Sequence, residues 1–359
     1  MGKFLCEGLD GVSSIEVYGG VAPTTYTVSM KDGVKDADKW TITPNPAEEG
    51  QTVTLQYNGR LKVKGVKATS DAAPAAPSVD LSTLTADYEA QDGEVLTGTL
   101  GANVKISIAD GATVTLKNLS INASGTWTSG NHAGITCPGN ATISLEGTNT
   151  VKGFYEDYPG IHIAKGKTLY IKGSGTLTAI GGGYGAGIGG GYDISCGNIE
   201  IQDGTVNAQG GRQAAGIGSG VYYSKSSDCG TITISGGTVN ATGGVSASGI
   251  GSGDKGTCSD ITISGGTVNA TGGENNSNTG TGAGIGSGRN GTCGNITIAN
   301  TVTKVTATAG PNAPYSIGKG SLGGSCGTVT IGGTKYWENN AAVNGGDTYL
   351  ATSPLIYQP

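Results

Sequence analysis

One unit recurs along the second half of this chain, and that recurrence limits the fold more than any other feature. Cysteines stand at 196, 229, 258, 293 and 326, spaced by 33, 29, 35 and 33 residues. Behind them run CGNIEIQDGTVNAQGG, CGTITISGGTVNATGG, CSDITISGGTVNATGG, CGNITIANTVTKVTATAG and a partial CGTVTIGG. A looser version, YIKGSGTLTAIGGGYGAGIGGG, starts at Tyr170. A unit of 20–50 residues that repeats in this way cannot bury its apolar face alone. It must stack on copies of itself.

Each unit holds three strand-like pieces: Ile-x-Ile (Ile232 to Ile234), Val-x-Ala (Val239 to Ala241) and Gly-Ile-Gly (Gly249 to Gly251). Alternation sends one set of side chains inward and the other outward. The glycines between them permit tight corners. The expected fold is all-β: a parallel β-helix with three short strands per rung, right-handed by the general rule for parallel crossovers. Three inner ladders follow. They are Ile199, Ile232, Ile261, Ile296 and Val329; Val206, Val239, Val268 and Val305; and Ile188, Ile217, Ile250, Ile285 and Ile317.

The rest of the chain divides around this solenoid. Residues 80–334 read as β-helix, with looser early rungs such as NVKISIADGATVTLKNLSINASG. Residues 335–359 break the repeat and bring Tyr336, Trp337, Tyr349 and Tyr357 as a cap, because an open solenoid end exposes core and strand edges. Residues 1–70 alternate like a small β module with Trp40 as a core residue, and an Ala/Pro link occupies 71–79.

Composition narrows the function classes. Glycine accounts for 68 residues, but proline for only 11 and without a Gly-X-Y period, which excludes collagen. The net charge is −6 with no basic run, so nucleic acid is not an expected partner. No apolar stretch reaches 18 residues, so no membrane span is expected. The start, MGKFLCEGLDG, lacks the apolar core of a secretion signal. That leaves three origins: removal of a signal, an intracellular protein, or a particle such as a phage released by lysis.

The five phased cysteines have two readings. Reduced thiols pack inward as small hydrophobes. Alternatively, rungs about 4.8 Å apart bring neighbours near the short end of disulfide geometry. No CxxC or His-rich spacing points to a metal, and no cofactor is implied. Cys6 and Cys137 lie outside the ladder.

Several segments carry a resemblance. LSTLTADYEAQDGEVLTGTLGANVKISIADGATVTLKNL, NTVKGFYEDYPGIHI, the GAGIGGG repeats and GGDTYLATSPLIYQP resemble glycine-rich β-helix surface proteins of gut Bacteroidetes-type bacteria. WTITPNPAEEGQTVTLQYNGRLKVKGVKA is similar to the small Ig-like modules found beside them. The resemblance implies an extracellular, cell-surface protein that binds carbohydrate. A phage virion is the alternative setting, with residues 1–70 as the attachment end.

Catalysis is not expected. Glycosidases need two facing carboxylates, and lyases need a base beside cations. The outward ladders instead present Thr233, Thr262, Thr297 and Thr330, and Asn207, Asn240 and Asn269, with Glu200 as their one acid. Asp193, Asp203, Asp228, Asp254 and Asp260 fall at corners without a common phase. A flat threonine array can order water or ice, but Asn and Glu interrupt this one.

Binding has more support. Sugar sites combine aromatic platforms with polar side chains. GTWTSGNHAG supplies Trp127 and His132, and GFYEDYPG supplies Phe154, Tyr155, Asp157 and Tyr158. These form the first candidate patch, with packing of Trp127 and Phe154 over an irregular core as the competing explanation. Tyr222 and Tyr223, with Tyr184 and Tyr192, form the second. The expected function is non-enzymatic adhesion to a glycan or another host or bacterial surface component. The rivals are a fibre or decoration protein without a ligand, and a polysaccharide-active enzyme.

Overall fold

In the computed structural model the described residues are 77–359, apart from 126–129, 131, 156, 225–226 and 275–280, together with segments 3–4, 12–16, 25–30, 40–48, 52–57 and 66–71. The chain forms two compact units, residues 1–76 and 77–359. In the first, strands Lys3–Phe4, Val66–Asp71, Thr25–Met30 and Ala47–Glu48 make one antiparallel sheet, and Val12–Glu16, Thr52–Tyr57 and Trp40–Thr43 make another. The side chain of Trp40 and all of Cys6 lie outside the described residues.

The second unit is a parallel β-helix. Its coil begins at Ser78–Asp80, which pairs parallel with Val95–Thr99. The Ile-x-Ile pieces pair in register as Ile199↔Ile232, Ile232↔Ile261, Ile261↔Ile296 and Ile296↔Val329. The Val-x-Ala pieces stack as Val206↔Val239, Val239↔Val268 and Val268↔Val305. The Gly-Ile-Gly pieces stack as Ile188↔Ile217, Ile217↔Ile250, Ile250↔Ile285 and Ile285↔Ile317. Every residue of the three expected ladders is buried in one continuous core. Each such Val or Ile side chain stabilises the fold by roughly 1.5–3 kcal/mol relative to exposure.

The last rungs carry a fourth short strand that the three-strand reading did not contain. Asp228–Cys229, Thr257–Cys258, Thr292–Cys293 and Ser325–Cys326 form their own parallel sheet. A strand of two residues has no alternation to read, so only the pairing reveals it. These strands hold Cys229, Cys258, Cys293 and Cys326, and Cys196 precedes them in the column. Cys196 and Cys229 are joined by a disulfide with Cα atoms 4.6 Å apart, while Cys258 and Cys293 are free and buried. Cys326 is free and partly exposed. The two readings of the column therefore both apply, at different rungs.

Polar groups are satisfied by the same stacking. Asn240 donates to Asn207 at 2.8 Å and Asn269 to Asn240 at 2.9 Å. Buried Ser219, Ser252 and Ser287 accept from the backbone N–H of Gly253, Gly288 and Gly320 on the next rung at 2.9–3.0 Å. The serine of Gly-Ile-Gly-Ser thus closes a corner that would otherwise bury an unpaired donor. Gly218, Gly251 and Gly286 have φ of +134°, +131° and +136°, and a Cβ there would collide with the carbonyl of the next rung's glycine.

The C-terminal segment closes the coil. Thr334–Glu338 pairs antiparallel with Val329–Ile331, and Leu355–Tyr357 pairs antiparallel with Lys304–Thr308. Between them the helical turn Gly346–Ala351 buries Leu350, and Trp337 is buried beside Tyr315 with ring centroids 5.5 Å apart.

Candidate functional site

One loop, residues 153–159, organises the surface where the aromatic candidates gather. It is held against the next rung's corner by backbone bonds. Gly182 N–H donates to the Tyr158 carbonyl at 2.8 Å, and Tyr192 N–H to that of Asp157 at 2.9 Å. Tyr155 takes a left-handed φ of 54° and points outward, half exposed.

The first candidate patch separates in three dimensions. Phe154 has no exposed surface and packs into the core with the His132 ring 4.3 Å away, so it cannot meet a ligand. This corrects its assignment as a contact residue: it anchors the loop. Trp127 lies outside the described residues. Tyr155 overlooks a groove of about 420 Å³ floored by the stacked corners Gly181 to Gly183 and Gly210 to Gly211, with Lys152 and Gln209 along it. Tyr158 faces a different depression, shared with His132 and His162.

The second patch comes together instead. Tyr192 stacks on Tyr223 with centroids 5.8 Å apart and an interplanar angle of 25°. Tyr184 meets Tyr192 edge-on at 5.6 Å. Tyr223 is 70% exposed, and Lys255 Nζ sits 5.8 Å from its ring centroid. Tyr222 is exposed in the same loop. Asp193 fixes that loop: its carboxylate accepts from Tyr223 N–H at 2.7 Å and from the Ser224 hydroxyl at 2.7 Å. Partial burial, and then the Asp193 carboxylate, hold the Tyr192 hydroxyl above its ordinary range, with Tyr223, Asp157 and Tyr184 acting the same way. Asp157, assigned to the first patch by sequence proximity, is thus electrostatically part of the second.

This strip spans two rungs whose tyrosines are about 30 residues apart in sequence. Parallel stacking juxtaposes them. The Tyr-Asp pair at 192–193 was the available signal, since it sits one repeat before Tyr222 and Tyr223.

The scattered aspartates have local partners. Asp203 accepts from Gly204 N–H and Asp260 from Asn295 N–H, both at 2.7 Å. Asp228 pairs with Lys165 at 2.8 Å. Asp254 is buried and pairs with Arg289. Among the described residues, no group of three or more His, Cys, Asp or Glu side chains could hold a metal ion. No helix among them is long and apolar enough to cross a membrane.

A family model described as beta helix repeat matches residues 169–192, 199–221, 232–254 and 261–289. Those segments contain stacked Ile-x-Ile, Val-x-Ala and Gly-Ile-Gly strands. The chain is a parallel β-helix protein. Neither a curated protein nor a solved structure matches it.

Proposed function

We propose that this chain is a non-enzymatic, projecting β-helix protein of a cell surface or virion that binds glycans through the edge built on Tyr184, Tyr192 and Tyr223. The observation that carries the reading is the exposed stack of Tyr192 on Tyr223, flanked by Asp193 and Lys255. Flat aromatic faces bury the apolar side of a sugar ring, while neighbouring polar groups orient its hydroxyls. Occupation of the corner aspartates by backbone and cationic partners supports binding rather than hydrolysis. The resemblance of the early rungs and the tail to bacterial surface proteins supports the setting.

The test is a glycan array with the wild-type protein beside a Tyr192→Ala/Tyr223→Ala variant, with circular dichroism as the folding control. Saturable binding that disappears in the folded variant is expected. Binding that survives the double substitution moves the site elsewhere. An array without binding favours a structural fibre or decoration protein.

A further inference from the structure

The chain has two histidines, and both border one small depression. His132, His162, Lys105, Thr136 and Tyr158 line it, and Ile194 forms a wall. Its volume of about 150 Å³ is well below the roughly 300–1,000 Å³ of sites for drug-sized ligands, so it suits a single small group. Thr136 and His162 are register partners on adjacent rungs, so the floor is rigid sheet.

Each imidazole is oriented by a backbone carbonyl. His162 Nε2 lies 3.1 Å from the Ser195 oxygen, and His132 Nδ1 lies 3.1 Å from the Ala133 oxygen. A carbonyl only accepts, so those nitrogens carry hydrogen. Burial lowers the His162 pKa, the Ser195 bond opposes this, and the Lys105 charge adds to the lowering. His162 is therefore neutral at pH 7. The standing charge at the depression is the Lys105 ammonium.

Among the described residues that charge has no ion-pair partner and no carboxylate lines the depression. An ammonium and two hydroxyls around a small recess are a donor set for an anion. The recess also adjoins the tyrosine strip. Ile194 bridges to Gly191 across the turn that carries Tyr192, and Tyr158 follows Asp157, whose carbonyl holds Tyr192.

We propose that this depression is an anion subsite that takes the carboxylate of an acidic sugar, with Lys105 as its charge partner. The sugar as carrier rests on the glycan-binding reading above. The anion preference rests on the depression alone.

The two histidines make the test direct. In a ¹H–¹³C spectrum of the imidazoles, both signals report on this recess. Sodium galacturonate is expected to shift them, sodium acetate at equal concentration to shift them less, and galactose to leave them in place. Lys105→Met is expected to weaken the galacturonate response by roughly tenfold or more, as for loss of one charge-assisted contact, and Lys105→Arg to retain most of it. An absent galacturonate response, an equal response to galactose, or a response unchanged in Lys105→Met overturns the proposal. The Tyr192→Ala/Tyr223→Ala variant separates the two readings. Histidine shifts that persist while array binding is absent sustain the subsite without the strip. Array binding without histidine shifts sustains the strip alone.

Discussion

Arg289 grips the carboxylate of Asp254 from the neighbouring rung, through Nη2 at 2.5 Å and Nε at 3.1 Å. Asp254 is almost wholly buried, and Gln213 from the preceding rung donates to the same carboxylate at 2.8 Å. The pair thus ties three successive rungs at one edge. Replacing Arg289 with Met leaves a buried carboxylate without its cation and is expected to destabilise the fold by about 2–4 kcal/mol. Adding Asp254→Asn is expected to restore part of that loss, because the uncompensated charge is gone. Urea unfolding of the three proteins measures both effects. A single variant within about 0.5 kcal/mol of wild type, the range of ordinary surface substitutions, contradicts the role.

Gly251 supplies a second stability test. Its φ of +131° and its approach to the Gly286 carbonyl leave no room for a Cβ. Gly251→Ala is expected to cost about 2–4 kcal/mol, since the shift must pass into the next rung. Gly93 also has positive φ, but nothing lies within reach of a Cβ there, so Gly93→Ala is expected to cost less. Equal midpoints for the two variants in thermal unfolding would show that crowding between rungs is not what selects glycine at position 251.

The cysteine column predicts an order of reactivity. Cys326 is partly exposed, and its pKa is lowered by a hydrogen bond from Cys293 and by the Lys319 charge, against the effect of burial. Burial pushes Cys137 and Cys258 up to about 12. A thiol reagent at pH 7–8 is expected to label Cys326 first among the described cysteines, since the thiolate is the nucleophile. Cys137, Cys258 and Cys293 are expected to react on unfolding, and Cys196 and Cys229 only after reduction. Peptide mapping by mass spectrometry at timed intervals gives the order. Prompt labelling of Cys258 in the folded protein would reject its interior placement.

Alkaline pH is expected to weaken the fold. Burial, and then hydrogen bonds to Glu94 and Asp347 respectively, raise Tyr88 and Tyr315 to about 12 from an ordinary value near 10. The folded state therefore keeps protons that the unfolded chain releases. This contribution is complete below pH 10 and is lost as pH rises towards 12. The buried thiols act in the same direction from about pH 9 upward. Absorbance at 295 nm should show tyrosines titrating late, and the denaturant midpoint should fall across this window. A flat midpoint from pH 9 to 12 would count against it.

Local pattern alone determined the coil. A repeat that puts Ile232, Ile261 and Ile296 at one phase allows parallel stacking in one register, because a slip by one residue would turn every inner side chain outward. The same periodicity fixes the inner ladders and the Asn207, Asn240 and Asn269 stack. Tertiary structure decided what depends on closure and loop path. The two-residue cysteine strands, the disulfide at Cys196 and Cys229, and the glycine N–H donors to the corner serines exist only once rungs are stacked. Loop aromatics were the least legible. Phe154 and Tyr155 are adjacent in sequence, yet one fills the core and the other faces solvent, because the backbone turns to positive φ at Tyr155. Tyr192 and Tyr223 are far apart in sequence, yet their rings stack, because one turn of the coil brings them onto adjacent rungs. Periodicity carries information about positions that repeat. An irregular loop has no period, so its side chains are placed by the surface it packs against.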